Sequence, residues 1–234
     1  MRLDKFLASQ NFGTRKEVQK LIKSGQVTID GEPAKKPDKK VNPEENKVAV
    51  KGKEITYTEH IYIVMNKPKG YISASEDKKE KTVIDLVPEE WKRKNLFPAG
   101  RLDKDTTGLM IITDDGDFAH RMLSPKKHVD KRYLAELDGE VTESMVEAFK
   151  NGIEFYDGTL CLSATLIPDK KTKNIAQVII REGKYHQVKK MFLTQGLTVK
   201  NLKRLQIGSF VLPKELAEGN CRPMSEAEIE AVFL

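Results

Sequence analysis

From Gly100 to Leu109 the chain reads Gly-Arg-Leu-Asp-Lys-Asp-Thr-Thr-Gly-Leu, with the carboxylate of Asp103 between two cations, Arg101 and Lys104. Positive neighbours favour the ionised form of an acid. The stretch Leu109-Met110-Ile111-Ile112 that follows predicts a buried strand, and a rigid strand can hold a short loop in place. An ionised carboxylate held this way suits nucleophilic attack or the placement of a cation.

The cation option would gather Asp103, Asp105, Asp114 and Asp115 around magnesium. A five-residue strand, rising about 3.3 Å per residue, keeps the two pairs well over ~10 Å apart. Asp114-Asp115-Gly116 also has the composition of a plain turn. A third option makes Asp103 the salt-bridge partner of Arg101 or of a distant lysine. That is the usual fate of an isolated Asp, and on the residues of the loop alone it would win.

The elements around the loop begin with a charged first quarter. Residues 1–58 hold 13 Lys and Arg against 8 Asp and Glu, a net of +5, whereas the whole chain of 234 residues carries +6. A basic module joined to a nearly neutral body suggests an arm that grips a polyanion; a lysine-rich surface kept for solubility is the plainer alternative. Leu3, Phe6 and Leu7 predict a helix over 2–10, broken at Asn11-Phe12-Gly13. Thr14 and Glu17 have capping-box spacing and open a second helix, with Val18, Leu21 and Ile22 as its apolar stripe and Gly25 as its stop. Lys16, Lys20 and Lys23 recur on another face, with Arg15 alongside. Such a row suits a phosphate backbone. Gln26–Ile29 and Val48–Val50 read as strands, and Asp30-Gly31 as a hairpin turn.

A junction falls in the polar stretch 51–59, so the expected domains are 1–58 and 59–234. In the body, strands are expected at 61–65, 109–113, 131–137, 176–180 and 202–212. Turns are expected at Asn66–Gly70 and Asp114–Gly116, a charged surface loop at 73–81, and helices at 89–94, 117–123, 142–151, 186–195 and after the Ser225/Glu228 capping pair. The order lacks a strict β-α-β rhythm and predicts an α+β body with a mixed, mostly antiparallel sheet flanked by helices. Cys161 and Cys221 are far apart without a Cys-x-x-Cys pair, and with four histidines no zinc site of usual spacing is written. Unpaired thiols suit a reducing cytosol. No run has the length of a membrane span or a signal peptide, so a cytoplasmic protein is expected.

Arg2-Leu3-Asp4-Lys5-Phe6-Leu7, Thr14-Arg15 and Leu21 through Gly31 together resemble the ribosomal-protein-S4-like RNA-binding module, a small α/β domain. Gly100-Arg101-Leu102-Asp103 with Thr106–Leu109 and Thr113–Gly116 resembles the signature loop of the pseudouridine synthases of the RsuA and RluA group. Asn66–Gly70 is similar to that family's opening turn, Lys131–Leu134 to its tyrosine strand, and Glu182–Phe192 to its third motif. The resemblance covers essentially the whole chain.

It implies a pseudouridine synthase fold without metal or organic cofactor. Asp103 acts at the ribose C1′ of the target uridine, as nucleophile or electrostatic partner, Tyr133 stacks on the uracil, and Lys189 pairs with the carboxylate. Arg101 helps to hold the flipped nucleotide. The S4-like module, with Arg2, Arg15, Lys16, Lys20 and Lys23, implies binding to structured RNA. Lys184–Met191 is closer to the small-subunit branch, because the asparagine–arginine pair expected of the large-subunit branch is missing near Tyr185-His186. The expected enzyme is an RsuA-type synthase acting as a monomer on 16S ribosomal RNA or a small-subunit assembly intermediate. A 23S synthase and a non-catalytic assembly factor are the alternatives.

Overall fold

A computed structural model describes residues 1–234 and divides into two compact units, 1–61 with 88–95 and 62–87 with 96–234. In the first unit, α1 (Leu3–Ser9) and α2 (Arg15–Lys23) precede a four-stranded sheet of β1 (Val27–Ile29), β2 (Glu32–Pro33), β3 (Val48–Val50) and β4 (Lys53–Glu54), in the order β2-β1-β3-β4. Leu3, Phe6, Leu7, Val18, Ile22, Val27 and Val48 form its buried core. The Thr14 hydroxyl accepts from the Glu17 backbone, and the Glu17 carboxylate accepts from the Thr14 N–H (2.7 Å), completing the capping box. Asp30 and Gly31 both have positive φ (54° and 85°), the backbone that a tight two-residue hairpin requires.

The second unit is built on β5 (Tyr62–Lys67), β6 (Phe97–Pro98), β7 (Thr107–Thr113), β8 (Lys131–Leu137), β9 (Thr165–Pro168), β10 (Ile175–Ile180), β11 (Val199–Ile207), β12 (Phe210–Val211) and β13 (Cys221–Pro223). Helices α3 (Gly116–Leu123), α4 (Glu143–Asn151), α5 (Gln187–Thr194) and α6 (Glu226–Ala231) accompany them. The long path of the sheet runs β13-β5-β7-β11-β8-β10-β9. Among its pairings β7 with β11 is parallel and the others are antiparallel. All seven residues of β7 are buried, as for a strand covered on both faces.

Several elements depart from the sequence expectation. Asn66 and Lys67 belong to β5, leaving Pro68–Gly70 as the turn. In this buried strand Asn66 Nδ2 donates to the Leu216 carbonyl (2.8 Å) and Lys67 Nζ to that of Thr106 (2.9 Å). Residues 89–94 form one short 3-10 turn, Glu89–Trp91, and their segment clusters with the first unit. The strand expected over 202–212 is a pair, β11 and β12, reversing at Gly208-Ser209. Short strands such as β9 and β13 were not foreseen, since they lack an apolar alternation long enough to stand out.

Candidate active site

The loop of residues 100–106 lies between β6 and β7 and is tied down on both sides. The Ser73 hydroxyl donates to the Leu102 carbonyl (2.7 Å) and accepts from the Leu102 N–H (2.9 Å). Gly70 N–H donates to the Lys104 carbonyl (2.8 Å), and Thr106 N–H to that of Asp103 (3.1 Å). Beneath the loop Lys67, with no exposed surface, directs its Nζ at the carbonyls of Thr106 (2.9 Å), Asp103 (3.1 Å), Pro68 (3.1 Å) and Lys104 (3.3 Å). Burial pushes the Lys67 ammonium down from its ordinary 10.5 to about 8, against the pull of Asp105 and Asp103. Gly108, at φ +100°, lets β7 run against β11; a Cβ there would overlap the Arg204 backbone.

Arg101 and Lys104 do not supply the charge beside Asp103, contrary to the expectation from their spacing. Lys104 turns to Glu80 (2.6 Å), and Arg101 is exposed at the edge of the cleft. The cation comes from 86 positions downstream. Lys189 Nζ lies 3.1 Å from Asp103 Oδ2 and 2.6 Å from Asp105 Oδ1. Desolvation lowers the proton affinity of Lys189, but the hydrogen bonds it donates to Asp105 and Asp103 outweigh it and leave the pKa raised. For Asp105, burial works upward and the Lys189 ammonium wins, holding its carboxyl below the usual range. Asp103 keeps 27% of its side-chain surface, enough to meet a substrate.

Sequence reasoning missed His186, whose Nε2 is 3.4 Å from Asp103 Oδ1. Its backbone is left-handed (φ 54°) at the N-cap of α5. The turn before it is held by buried Glu182, which accepts from Leu162 N–H and Gln187 Nε2 (both 2.8 Å), while Gln187 Oε1 accepts from Lys184 N–H (2.9 Å). This frame delivers Lys189, in the first turn of α5, to the loop.

The two segments meet across a cleft of about 620 Å³ lined by Asp103, Arg101, Tyr133, Thr106, Lys131, Arg204 and the 182–188 turn. Tyr133, on β8, is 8% exposed and directly opposite Arg204 on β11. Asp114 and Asp115 lie past the far end of β7. Asp115 caps α3, accepting from Asp117 N–H (2.9 Å) and Phe118 N–H (3.0 Å), and accepts from the Tyr62 hydroxyl (2.6 Å). The magnesium grouping is therefore not assembled, and no group of three or more His, Cys, Asp or Glu side chains is placed to hold a metal ion.

In the first unit Arg15, Lys16, Lys20 and Lys23 are all exposed. Arg2 instead makes a two-pronged pair with Asp4 (2.8 and 3.0 Å), which is 1% exposed and held low in pKa mainly by that hydrogen bond.

A family model for RNA pseudouridylate synthase matches residues 61–194, and a model for the S4 domain matches residues 1–46. The chain belongs to the RNA pseudouridylate synthase family. Its α+β architecture and enzymatic class, an isomerase acting on RNA, follow from that membership. The synthase is 43% identical over 231 residues to the uncharacterized RNA pseudouridine synthase YtzG of Bacillus subtilis (strain 168), covering 98% of this chain and 97% of the relative. It is 38% identical over 235 residues to ribosomal small subunit pseudouridine synthase A of Escherichia coli (strain K12), covering 99% and 100%. A crystal structure described as pseudouridylate synthase superposes with a TM-score of 0.68 at 35% identity, covering 99% of each chain.

Proposed function

We propose that this synthase converts one uridine of 16S ribosomal RNA, free or in an assembling small subunit, to pseudouridine. The observation that carries the chemistry is Asp103 on the cleft wall, paired with Lys189. A carboxylate aimed by an ammonium 3.1 Å away is placed to act at C1′ when the C1′–N1 bond breaks. The uracil turns within the cleft, C5 joins C1′, and the proton lost from C5 is balanced by one gained at N1. Tyr133 stacks on the ring, and Arg101 steadies the flipped nucleotide at the edge. His186 is a second positioning group for Asp103.

Residues 1–58 serve as the RNA-holding domain and 59–234 as the catalytic domain. Arg15, Lys16, Lys20 and Lys23 meet phosphates, while Arg2, engaged with Asp4, contributes less. The small-subunit target is favoured by the third-motif residues and by the similarity to relatives bearing that name. The protein acts as a monomer in the cytoplasm, consistent with its two free thiols.

Mapping pseudouridines in total ribosomal RNA from cells with and without the gene tests the target. Loss of one 16S position, restored by the wild-type chain and not by Asp103→Asn, is the expected result. Loss of a 23S position instead would transfer the assignment to the large subunit, and an unchanged map would point to a non-catalytic assembly role.

A further inference from the structure

In the lining of the cleft, Arg204 is 3% exposed and its guanidinium is incompletely hydrogen-bonded. Its Nε donates to the Leu109 carbonyl (2.8 Å), but Nη2 is buried with no partner. The Thr106 hydroxyl, in the same lining, is also buried and unpartnered. Buried donors are nearly always satisfied in native proteins, so two orphans along one cleft mark a place where a ligand completes the bonding. A third group, Lys131, lies on the same face of β8 as Tyr133, two residues away, and donates to the Met122 carbonyl (2.9 Å). It adds positive charge near Arg204.

We infer that Arg204 is the residue that reads the base, donating to the uracil carbonyl farthest from the ribose, with Thr106 accepting from N3–H beside it. This rests on the synthase reading above. Because Arg204 and Tyr133 are cross-strand neighbours, a ring stacked on Tyr133 presents its edge to the guanidinium. With N1 bound to C1′ at Asp103, the atom across the ring is C4, so O4 points to the guanidinium. When the C1′–N1 bond breaks, its electron pair stays on N1 and is delocalised onto O2 and O4, where a buried cation is most useful. Turning the ring about its N3–C6 axis exchanges N1 with C5 and O4 with O2. A carbonyl therefore faces Arg204, and N3–H faces Thr106, both before and after the turn. Arg204 holds substrate and product orientations with one donor, whereas cytosine would present an amino group to it.

The test is a chemical cycle under single-turnover conditions, using target RNA with uridine or 4-thiouridine at the modified position. Sulfur accepts hydrogen bonds poorly, so the wild-type chain is expected to process the thio-substrate about 10- to 100-fold more slowly, the range of a bond to a charged donor. Arg204→Met is expected to lose a similar factor on uridine and to treat both substrates alike. A folded Arg204→Met chain that keeps the wild-type ratio overturns the inference. Should that variant not fold, equal wild-type rates on the two substrates overturn it without any substitution. Absence of pseudouridine from the wild-type chain on uridine RNA would instead defeat the synthase reading itself.

Discussion

The basic face of α2 and the carboxylate of Asp103 are both made of charge, yet they are assembled in opposite ways. The α2 face comes from one helix: three lysines within eight residues, oriented by periodicity and a local cap, and left in water. The Asp103 site draws its cation from 86 residues away and its structural support from Lys67 and Ser73. Solvated charges on a helix are individually weak, interchangeable and screened by salt. Partly buried charges set by tertiary contacts are few, specific and intolerant of change. Neighbours in sequence supply the surface, and neighbours in space supply the chemistry.

The difference can be broken most severely at Asp103. Asp103→Asn should lower single-turnover isomerisation by at least about 10⁴-fold, as loss of a nucleophile does elsewhere, while RNA affinity measured by filter binding stays within about twofold. Near-normal turnover would remove Asp103 from the reaction.

Lys67→Met should cost about 100-fold in kcat, because a loop misplaced by about 1 Å loses that much. The wild-type rate should also fall as pH rises through about 8, where Lys67 loses its proton and holds the carbonyls less firmly. Stability moves the other way. Lys67 and Lys131 both bind protons less tightly folded (about 8) than unfolded (10.5), so the unfolded chain takes up more protons between those values. Their contribution to folding stability therefore rises with pH across that window. Denaturant titrations at pH 7.5 and 9.5 check the sign; a decrease traceable to these lysines would refute it.

On the other side of the comparison, reversing Lys16, Lys20 and Lys23 to Glu should weaken RNA binding and flatten the plot of log affinity against log salt by about 2 to 3 units. Catalysis at saturating RNA should survive. Unchanged affinity over several salt concentrations would return those lysines to plain solvated surface. The smallest effect belongs to the cap: Thr14→Ala should lower stability by about 1 kcal/mol, read from thermal unfolding, without touching the single-turnover rate.

This contrast also explains what was legible in advance. Helix α2 with its cap, β8 and the sheltered run of β7 could be read almost residue by residue, because period and capping are local signals. Asp103 and Lys189 were found by resemblance of their motifs, and the structure brings them within 3.1 Å. The flanking cations Arg101 and Lys104 misled, since adjacency in a loop says nothing about where side chains turn. Lys67 falls within the turn expected at 66–70, and Arg204 lies unremarked in the strand expected at 202–212. Their signal was a charge at an inward strand position, as with Leu202 and Arg204 alternating along β11, and its meaning depends on carbonyls contributed from elsewhere.

The place of β11 in the sheet has a consequence for the order in which the protein matures. It is the last long strand in the chain, yet it lies between β7 and β8, which precede it by about 60 residues or more. During synthesis β7 and β8 must wait, edges unpaired, until residue 207 has left the ribosome. Much of the first unit, made of short-range contacts, can close before that. A nascent chain can thus hold RNA before it can modify it. A message cut short ahead of Val199 would yield a binder with an unfinished cleft and a sticky sheet edge, and pulse-chase proteolysis of arrested chains would show the body becoming resistant only after β11 emerges.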